Sequence, residues 1–409
     1  MKILNIISQY PGKTGSGTYL RALMDEAKKS GYKQGLIGAV QADLTYINTS
    51  VEYLDLVEFN TPELPFPIIG MSDKMPYESS VFSLIPDEHL EMWEDEFRKK
   101  LVKAVEDFKP HIILCHHLWL ATSIVCEQKT DAKVFVVCHG TDIRQFQKIH
   151  FFRERLIESF KNLHGVFALT EEQKNEINDL YKINRDIIHT VGSGYDERFF
   201  YPLKNKDRSK QIKLVYAGKL SYAKGLIPLI EAYSKLSEEY NLELTIAGSG
   251  SGEERNQIVA QGQSAGINFT GPLPQKILGN LFRQADIFIL PSYYEGLSLV
   301  ALEALASGLL CVVTDVGGIK GFLGDKINKS GVIEYVNLPQ MKNVDEPLDS
   351  DYNLYINNLE NAIKKQIKTY NEGYNKFAPL YDEIASFSWS NIFKEIEVYF
   401  KLFNLDKEV

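Results

Sequence analysis

Apolar, β-branched runs alternate with stretches of helical periodicity along most of the chain, and midway the pattern begins again. In the first half, strand character marks KILNII (Lys2–Ile7), KQGLIGAV, HIILCHH, KVFVVCHG, GVFALT and DIIHTVG. In the second half it marks IKLVYAG, LELTIAG, INFTG, IFILPS and LCVVTD. Strands apolar at every position, not at alternate ones, belong to parallel sheets covered on both faces by intervening helices. The restart at IKLVYAG follows the polar stretch PLKNKDRSKQ and repeats the opening order of strand, polar loop and helix. A chain of 409 residues is also too long for one core. The expectation is an α/β protein of two doubly wound domains, residues 1–203 and 204–388. Ligands in such sheets sit at the carboxyl ends of the strands, so a cleft between the domains would bring loops of both halves together. Asn337 to Tyr352 is polar, contains proline and is expected to be irregular; the tail FSWSNIFKEIEVYFKLF is an amphipathic helix.

Charge and apolar content narrow the classes. A net charge of −9 argues against nucleic acid, which rewards a basic face. No apolar run approaches the ~18 residues of a membrane span. The opening residues enter a strand directly, so no signal peptide is expected. Four cysteines (Cys115, Cys126, Cys138, Cys311) in so long a chain point to reduced thiols, and hence to a cytoplasmic protein. The stretch HFFRERLIESF (His150 to Phe160) mixes aromatic and basic residues. It is read as a packed amphipathic helix in preference to a peripheral contact with the inner face of a membrane.

The loop YPGKTGSGTY, residues 10 to 19, lies between a strand and a helix, the geometry in which backbone N–H groups face an anion. It is not a Walker A motif, because Ile7 stands where the first glycine is required. Nor is it a dinucleotide fingerprint, because Leu20 stands in place of the third glycine after Gly15 and Gly17. Gly15, Ser16 and Gly17 still permit close approach to the backbone; a tight turn without a ligand is the competing reading.

Richer chemistry lies in ILPSYYEGLSLVALEALASG, residues 289 to 308. A strand ends at Pro291, a loop carries Glu295 and Gly296, and Ser298 is a candidate N-cap for the next helix. The helix start offers free N–H groups and a positive dipole end beside Glu295. Glu303 sits in LVALEALA, apolar on nearly every side, and must find hydrogen-bond donors there. These are either a structural partner or the hydroxyls of a sugar. In YAGKLSYAKG, residues 216 to 225, Lys219 and Lys224 flank a short loop and suit a diphosphate. AGSGSGEE is read as a backbone turn, and His139 in VVCHGTD as a strand-end histidine that points into a site.

These segments together resemble the retaining GT-B glycosyltransferases of family 4. GSGTY, VCHGTD, VGSGYDERFFYP, AGKLSYAKG, IAGSGSGEE, FTGPL, PSYYEGLSLVALEALASG and TDVGGI occur in the family's order over residues 2 to 320, with Glu295 and Glu303 matching its paired glutamates. The resemblance implies two Rossmann-like domains, with the tail helix, about 389–409, crossing back onto the first. It implies transfer of a hexose-type sugar from a nucleoside diphosphate sugar (UDP- or GDP-linked) to an acceptor hydroxyl, with retention. By resemblance Gly15 and Gly17 lie near the donor, Lys219 and Lys224 hold the diphosphate, and Leu273 lies by the base. Glu303 binds the ribose, Glu295 the transferred sugar, and Gly296, Leu297 and Ser298 line the donor. His139 approaches the C6 hydroxyl, and His139, Glu295 and Lys224 form the catalytic set. Where the family carries Gly-Gly-x-Pro-Glu this chain reads GGIKG, with Lys320 and Gly321, so the shape of that loop does not follow from the resemblance.

The leaving diphosphate gathers negative charge, and Lys219, Lys224 and the helix N-terminus supply compensating positive charge without a metal. No cofactor is expected. The DSD at Asp349 to Asp351 spells a metal motif but is read as solvated surface. His111, His116 and His117 are read as lining or core residues, since neighbours in a strand point to opposite faces. No second carboxylate is evident as a glycosidase-type nucleophile. An epimerase or hydrolase on the same fold, a dinucleotide oxidoreductase and a non-catalytic nucleotide-sugar binding protein are the rivals. The acceptor (a sugar, glycan, lipid or small molecule) is not named by the sequence.

Overall fold

The structure, a computed structural model, describes residues 1–12, 14–42, 44, 51–73, 75–203, 209–343, 346–373 and 377–403. Lys13 of the loop YPGKTGSGTY, part of the polar stretch at 204–208 and the end of the tail at 404–409 lie outside the described residues. Contacts divide the chain into two compact units: Met1–Ser193 with the segment from Trp389 onward, and Gly194–Ser388.

The first boundary was expected at 203, and the packing of residues 195–201 explains the difference. Tyr195 N donates to Phe387 O, and the Phe200 ring lies 5.9 Å from Phe282. The Arg283 guanidinium donates to Phe199 O and lies over the Tyr201 ring, 4.1 Å from its centroid. This segment therefore belongs to the second unit.

In the first unit seven parallel strands run in the order β3-β2-β1-β4-β5-β6-β7. They are β1 (Lys2–Ile7), β2 (Lys33–Gln41), β3 (Tyr53–Phe59), β4 (Ile112–His116), β5 (Lys133–Val137), β6 (Gly165–Ala168) and β7 (Ile188–Thr190). β1, β4, β5 and β6 are buried almost throughout, as continuous apolar runs require. β3 was not anticipated: it is an edge strand with Leu54, Asp55 and Leu56 partly exposed, and its mixed sequence lacks the apolar run. Helix α1 (Gly15–Lys29) follows β1, and the Thr14 hydroxyl caps it by accepting from Gly17 N at 3.0 Å. Helix α2 (Thr141–Lys148) follows β5. The stretch around His150 to Phe160 forms a shorter helix, Arg153–Ser159, with Leu156 buried and Phe151 81% exposed just before it. The C-terminal helix (Trp389–Leu402) packs on this unit: Trp389 meets Tyr19 at 4.9 Å, Tyr399 stacks on His189 at 3.8 Å, and Tyr32 donates to Glu397 at 2.7 Å.

The second unit repeats the pattern with six parallel strands, ordered β10-β9-β8-β11-β12-β13. They are β8 (Ile212–Ala217), β9 (Leu242–Ala247), β10 (Asn268–Gly271), β11 (Ile287–Leu290), β12 (Leu310–Thr314) and β13 (Ile333–Val336). Its principal helices here are α3 (Leu226–Glu239), α4 (Gln275–Gln284), α5 (Leu299–Ala306) and α6 (Asp349–Glu372). The stretch expected to be irregular is partly ordered instead. Met341–Asn343 pairs with Glu346–Pro347, and α6 starts at Asp349. Tyr355, Leu359, Ile363 and Ile367 bury one face of α6, a helical spacing that begins beyond the polar window.

Both sheets reverse strand order between their first and fourth strands, β1/β4 and β8/β11. In doubly wound sheets such a reversal, at the carboxyl ends of the strands, is where ligands sit. Among the described residues no helix is long and apolar enough to cross a membrane.

Candidate active site

In the second unit, the two loops at the β8/β11 reversal interlock. Gly225 has φ +64°, and a Cβ there would lie 2.0 Å from Pro291 O. Glycine thus lets the lysine loop rest directly on the end of β11, with Tyr293 N donating to Ala223 O at 3.0 Å. The consequence is an ion pair between residues far apart in sequence. Lys224 Nζ lies 2.8 Å from Glu295 Oε1 and 3.1 Å from Tyr294 O. Both side chains keep about a fifth of their surface in solvent, 23% and 18%. The sequence pointed to each residue but not to the pairing. Lys219 is half-buried on the same loop, its carbonyl accepting from the buried Tyr216 hydroxyl at 2.8 Å.

A third loop, after β12, holds Glu295 from the other side. Gly317 has φ +65°, and a Cβ there would lie 2.2 Å from Gly296 O and 2.7 Å from Glu295 O. Gly317→Ala should therefore destabilise the second unit by about 2 kcal/mol, from left-handed strain together with the clash. A melting temperature several degrees lower checks this; an unchanged one would mean that the loop adapts freely. Lys320 of the departing GGIKG segment lies 3.7 Å from Asp315 and over the Tyr335 ring at 5.3 Å.

Ser298 caps α5, its hydroxyl accepting from Ala301 N at 3.4 Å, and Leu297 is buried beside it. One and a half turns on, Glu303 is only 7% exposed. Its carboxyl accepts from the Gln275 side chain, while Asp196 lies close enough to repel it. Burial, chiefly, and then Asp196 raise its pKa from 4.5 to about 8. A buried structural carboxylate ordinarily has a cation or several N–H donors, which hold its pKa down. Glu303 forms no ion pair among the described residues, and its one side-chain donor is a neutral amide. Leu273 is half-buried in the loop just before Gln275. Asp349 and Asp351 lie in the first turn of α6; Asp349 is exposed, and Asp351 accepts from Gln340 N at 3.0 Å.

In the first unit, Gly17 is explained by its own loop. A Cβ there would lie 3.0 Å from Gly12 N, and its N–H is already bound to Thr14. Gly15 is exposed, with nothing near. His139, beyond β5, is at the centre of an aromatic group. Its ring lies 5.3 Å from His116, 4.9 Å from His117 and 5.2 Å from Tyr19. The expectation that His116 and His117 point to opposite faces is therefore corrected. β4 ends at His116, and His117 turns into left-handed backbone at φ +78°, which brings its ring to the same side. Asp142, fully buried, ties the two strand ends together: it accepts from Leu118 N at 2.8 Å and from His139 N at 3.1 Å. Burial and the neighbouring imidazoles hold the His139 pKa well below its usual value, so the ring is neutral near pH 7. Sequence reasoning gave no role to Tyr19, the last residue of GSGTY, or to Asp142, the last of VCHGTD, and it did not single out Gln275, which lies in no quoted motif. Among the described residues no group of three or more His, Cys, Asp or Glu side chains is arranged to hold a metal ion.

Comparison with known proteins bears on the family and the fold. The family model described as Glycosyltransferase Family 4 matches residues 14–199, and that described as Glycosyl transferases group 1 matches residues 197–351. An uncharacterised glycosyltransferase of Methanocaldococcus jannaschii is 26% identical over 332 residues, 75% of this chain and 78% of that protein. Two further relatives align over 42% and 56% of their own length. Among solved structures, sucrose-phosphate synthase from Thermosynechococcus elongatus superposes with a TM-score of 0.73 at 17% identity, over 99% of both chains. The structure of trehalose-6-phosphate from E. coli bound with UDP-2-fluoro glucose superposes with a TM-score of 0.67 at 13% identity, over 98% of this chain and 99% of that one. The chain belongs to the group 1 glycosyltransferases and has the GT-B fold.

Proposed function

We propose that the second unit binds a nucleoside diphosphate sugar and that the enzyme transfers a hexose-type sugar to an acceptor hydroxyl with retention of configuration. The carrying observation is the Lys224–Glu295 pair, 2.8 Å apart, at the β8/β11 reversal and just before the N-terminus of α5. A diphosphate entering there meets an ammonium that a carboxylate already orients, together with the N–H groups of a capped helix start. As the glycosidic bond breaks, charge grows on the leaving phosphate, and Lys224 and Lys219 stabilise it most at that point. Glu295, released from Lys224 by the phosphate, turns to the hydroxyls of the transferred sugar. Glu303 takes the ribose hydroxyls, which supply the donors that its buried carboxyl lacks in the protein itself. Leu273 borders the base. His139 meets the sugar through its ring. A structural neighbour's complex with UDP-2-fluoro glucose supports a nucleotide-sugar donor.

The reaction needs no metal in this account. Release of nucleoside diphosphate from UDP-, GDP- or ADP-sugars should persist in EDTA at the untreated rate, and proton NMR of the product should show the donor's anomeric configuration. Activity lost in EDTA and restored by Mg²⁺ or Mn²⁺ would contradict the first statement, and an inverted anomer the second.

A further inference from the structure

We infer that His116 is a positioning residue that fixes the His139 ring as a hydrogen-bond donor through Nδ1–H. The inference rests on the reading in which His139 meets the transferred sugar, and it adds which atom of the ring carries the proton. The two imidazoles lie nearly parallel, at 14°, with His116 Nδ1 3.1 Å from His139 Nε2. Burial lowers the pKa of His116 to about 3, and that of His139 falls well below its usual value, so both are neutral at physiological pH. A neutral imidazole carries one N–H and one bare nitrogen, so one ring must donate and the other accept.

Two arrangements satisfy the contact. If His139 donates from Nε2, His116 must carry its own proton on Nε2. That atom is buried and has no hydrogen-bond partner among the described residues. If His116 donates from Nδ1, its Nε2 is a bare lone pair, and His139 must carry its proton on Nδ1. A buried N–H without an acceptor is the rarer and more costly arrangement in folded proteins. The second arrangement avoids it. The main chain supports the same geometry, because Asp142 fixes the backbone N–H of His139 and that of Leu118, two residues beyond His116. The ring is thus held at its backbone by Asp142 and in its tautomer by His116. In this form Nδ1 gives a hydrogen bond to a substrate oxygen and cannot take a proton, which excludes His139 as a general base at that atom.

The test uses the full chain with ¹⁵N-labelled histidine at pH 7.5, without ligand, and reads the protonated nitrogen of each ring from two-bond ¹⁵N–¹H correlations. Protonation of both His116 and His139 at Nδ1 is expected. His116→Asn places an amide nitrogen near the former Nδ1 and should keep the His139 tautomer and most of the turnover. His116→Leu should lose roughly tenfold in kcat, the worth of one oriented hydrogen bond, with nucleoside diphosphate affinity unchanged. His139 protonated at Nε2 in the unmodified protein would overturn the inference, as would equal turnover of the two variants. If no sugar transfer is found at all, the transferase reading fails, and the tautomer measurement alone still decides this one. Should His116→Leu not fold, the unmodified protein and His116→Asn still carry the test.

Discussion

Replacing Lys224 by alanine should lower turnover by roughly 10²- to 10³-fold, because a cation aimed at the developing phosphate charge contributes a few kcal/mol to the transition state. The structure adds a second consequence. Lys224 is the ammonium beside Glu295, at 2.8 Å, so its removal leaves that carboxylate facing the incoming diphosphate without compensation. Donor affinity should fall along with kcat. Lys224→Arg keeps the charge but not the point geometry that also reaches Tyr294 O, and should recover affinity better than rate. The melting temperature of Lys224→Ala should fall by a few degrees at most, since each side chain keeps about a fifth of its surface in solvent and water can hydrate the Glu295 left behind. Near-normal kcat at saturating donor would remove Lys224 from the mechanism.

Glu303→Gln should weaken nucleoside diphosphate binding roughly tenfold near neutral pH, the upper range for a hydrogen bond to a neutral group, because burial keeps the carboxyl protonated there. Its effect on stability depends on pH, and the sign separates the two readings of this residue. The folded pKa is raised to about 8 from 4.5, so the fold holds a proton on Glu303 that the unfolded chain releases. The stability linked to that proton is complete below pH 4.5 and is lost as pH rises through 8. Glutamine does not titrate. At pH 6 the variant and the unmodified protein should melt within a few degrees of each other, and at pH 9 the variant should be the more stable. A structural anchor would behave in the opposite way, destabilised by about 1–3 kcal/mol at neutral pH with nucleotide affinity unaltered. Calorimetric affinity and thermal unfolding without ligand, each at both pH values, distinguish the outcomes.

The interior of both sheets was legible because a strand covered on both faces is apolar at nearly every position, as in Ile287–Leu290 and, apart from Asn5, in Ile3–Ile7. Tyr53–Phe59 escaped the same criterion because an edge strand half in solvent needs no such run. α6 escaped because its buried positions, Tyr355 to Ile367, lie beyond Asn337 to Tyr352, the polar stretch expected to be irregular. The candidate residues of the second unit were legible one at a time, from glycine loops and from a glutamate in an apolar helix. Their pairing was not. The Lys224–Glu295 contact depends on Gly225 lying against Pro291 and Gly317 against Gly296, contacts between loops from three different strands. The histidine cluster was misread for a local reason. Period-two alternation holds only while the strand continues, and a single left-handed residue at His117 ends it.

The most direct measurement of the central claim is calorimetric titration of UDP, GDP and ADP into the unmodified protein, Lys224→Ala and Glu303→Gln, all in EDTA. The account predicts that at least one nucleotide binds the unmodified protein with no metal present, and that both variants bind the same nucleotide more weakly while remaining folded. Binding of none of the three, binding that needs a divalent cation, or equal affinity in all three proteins would contradict it.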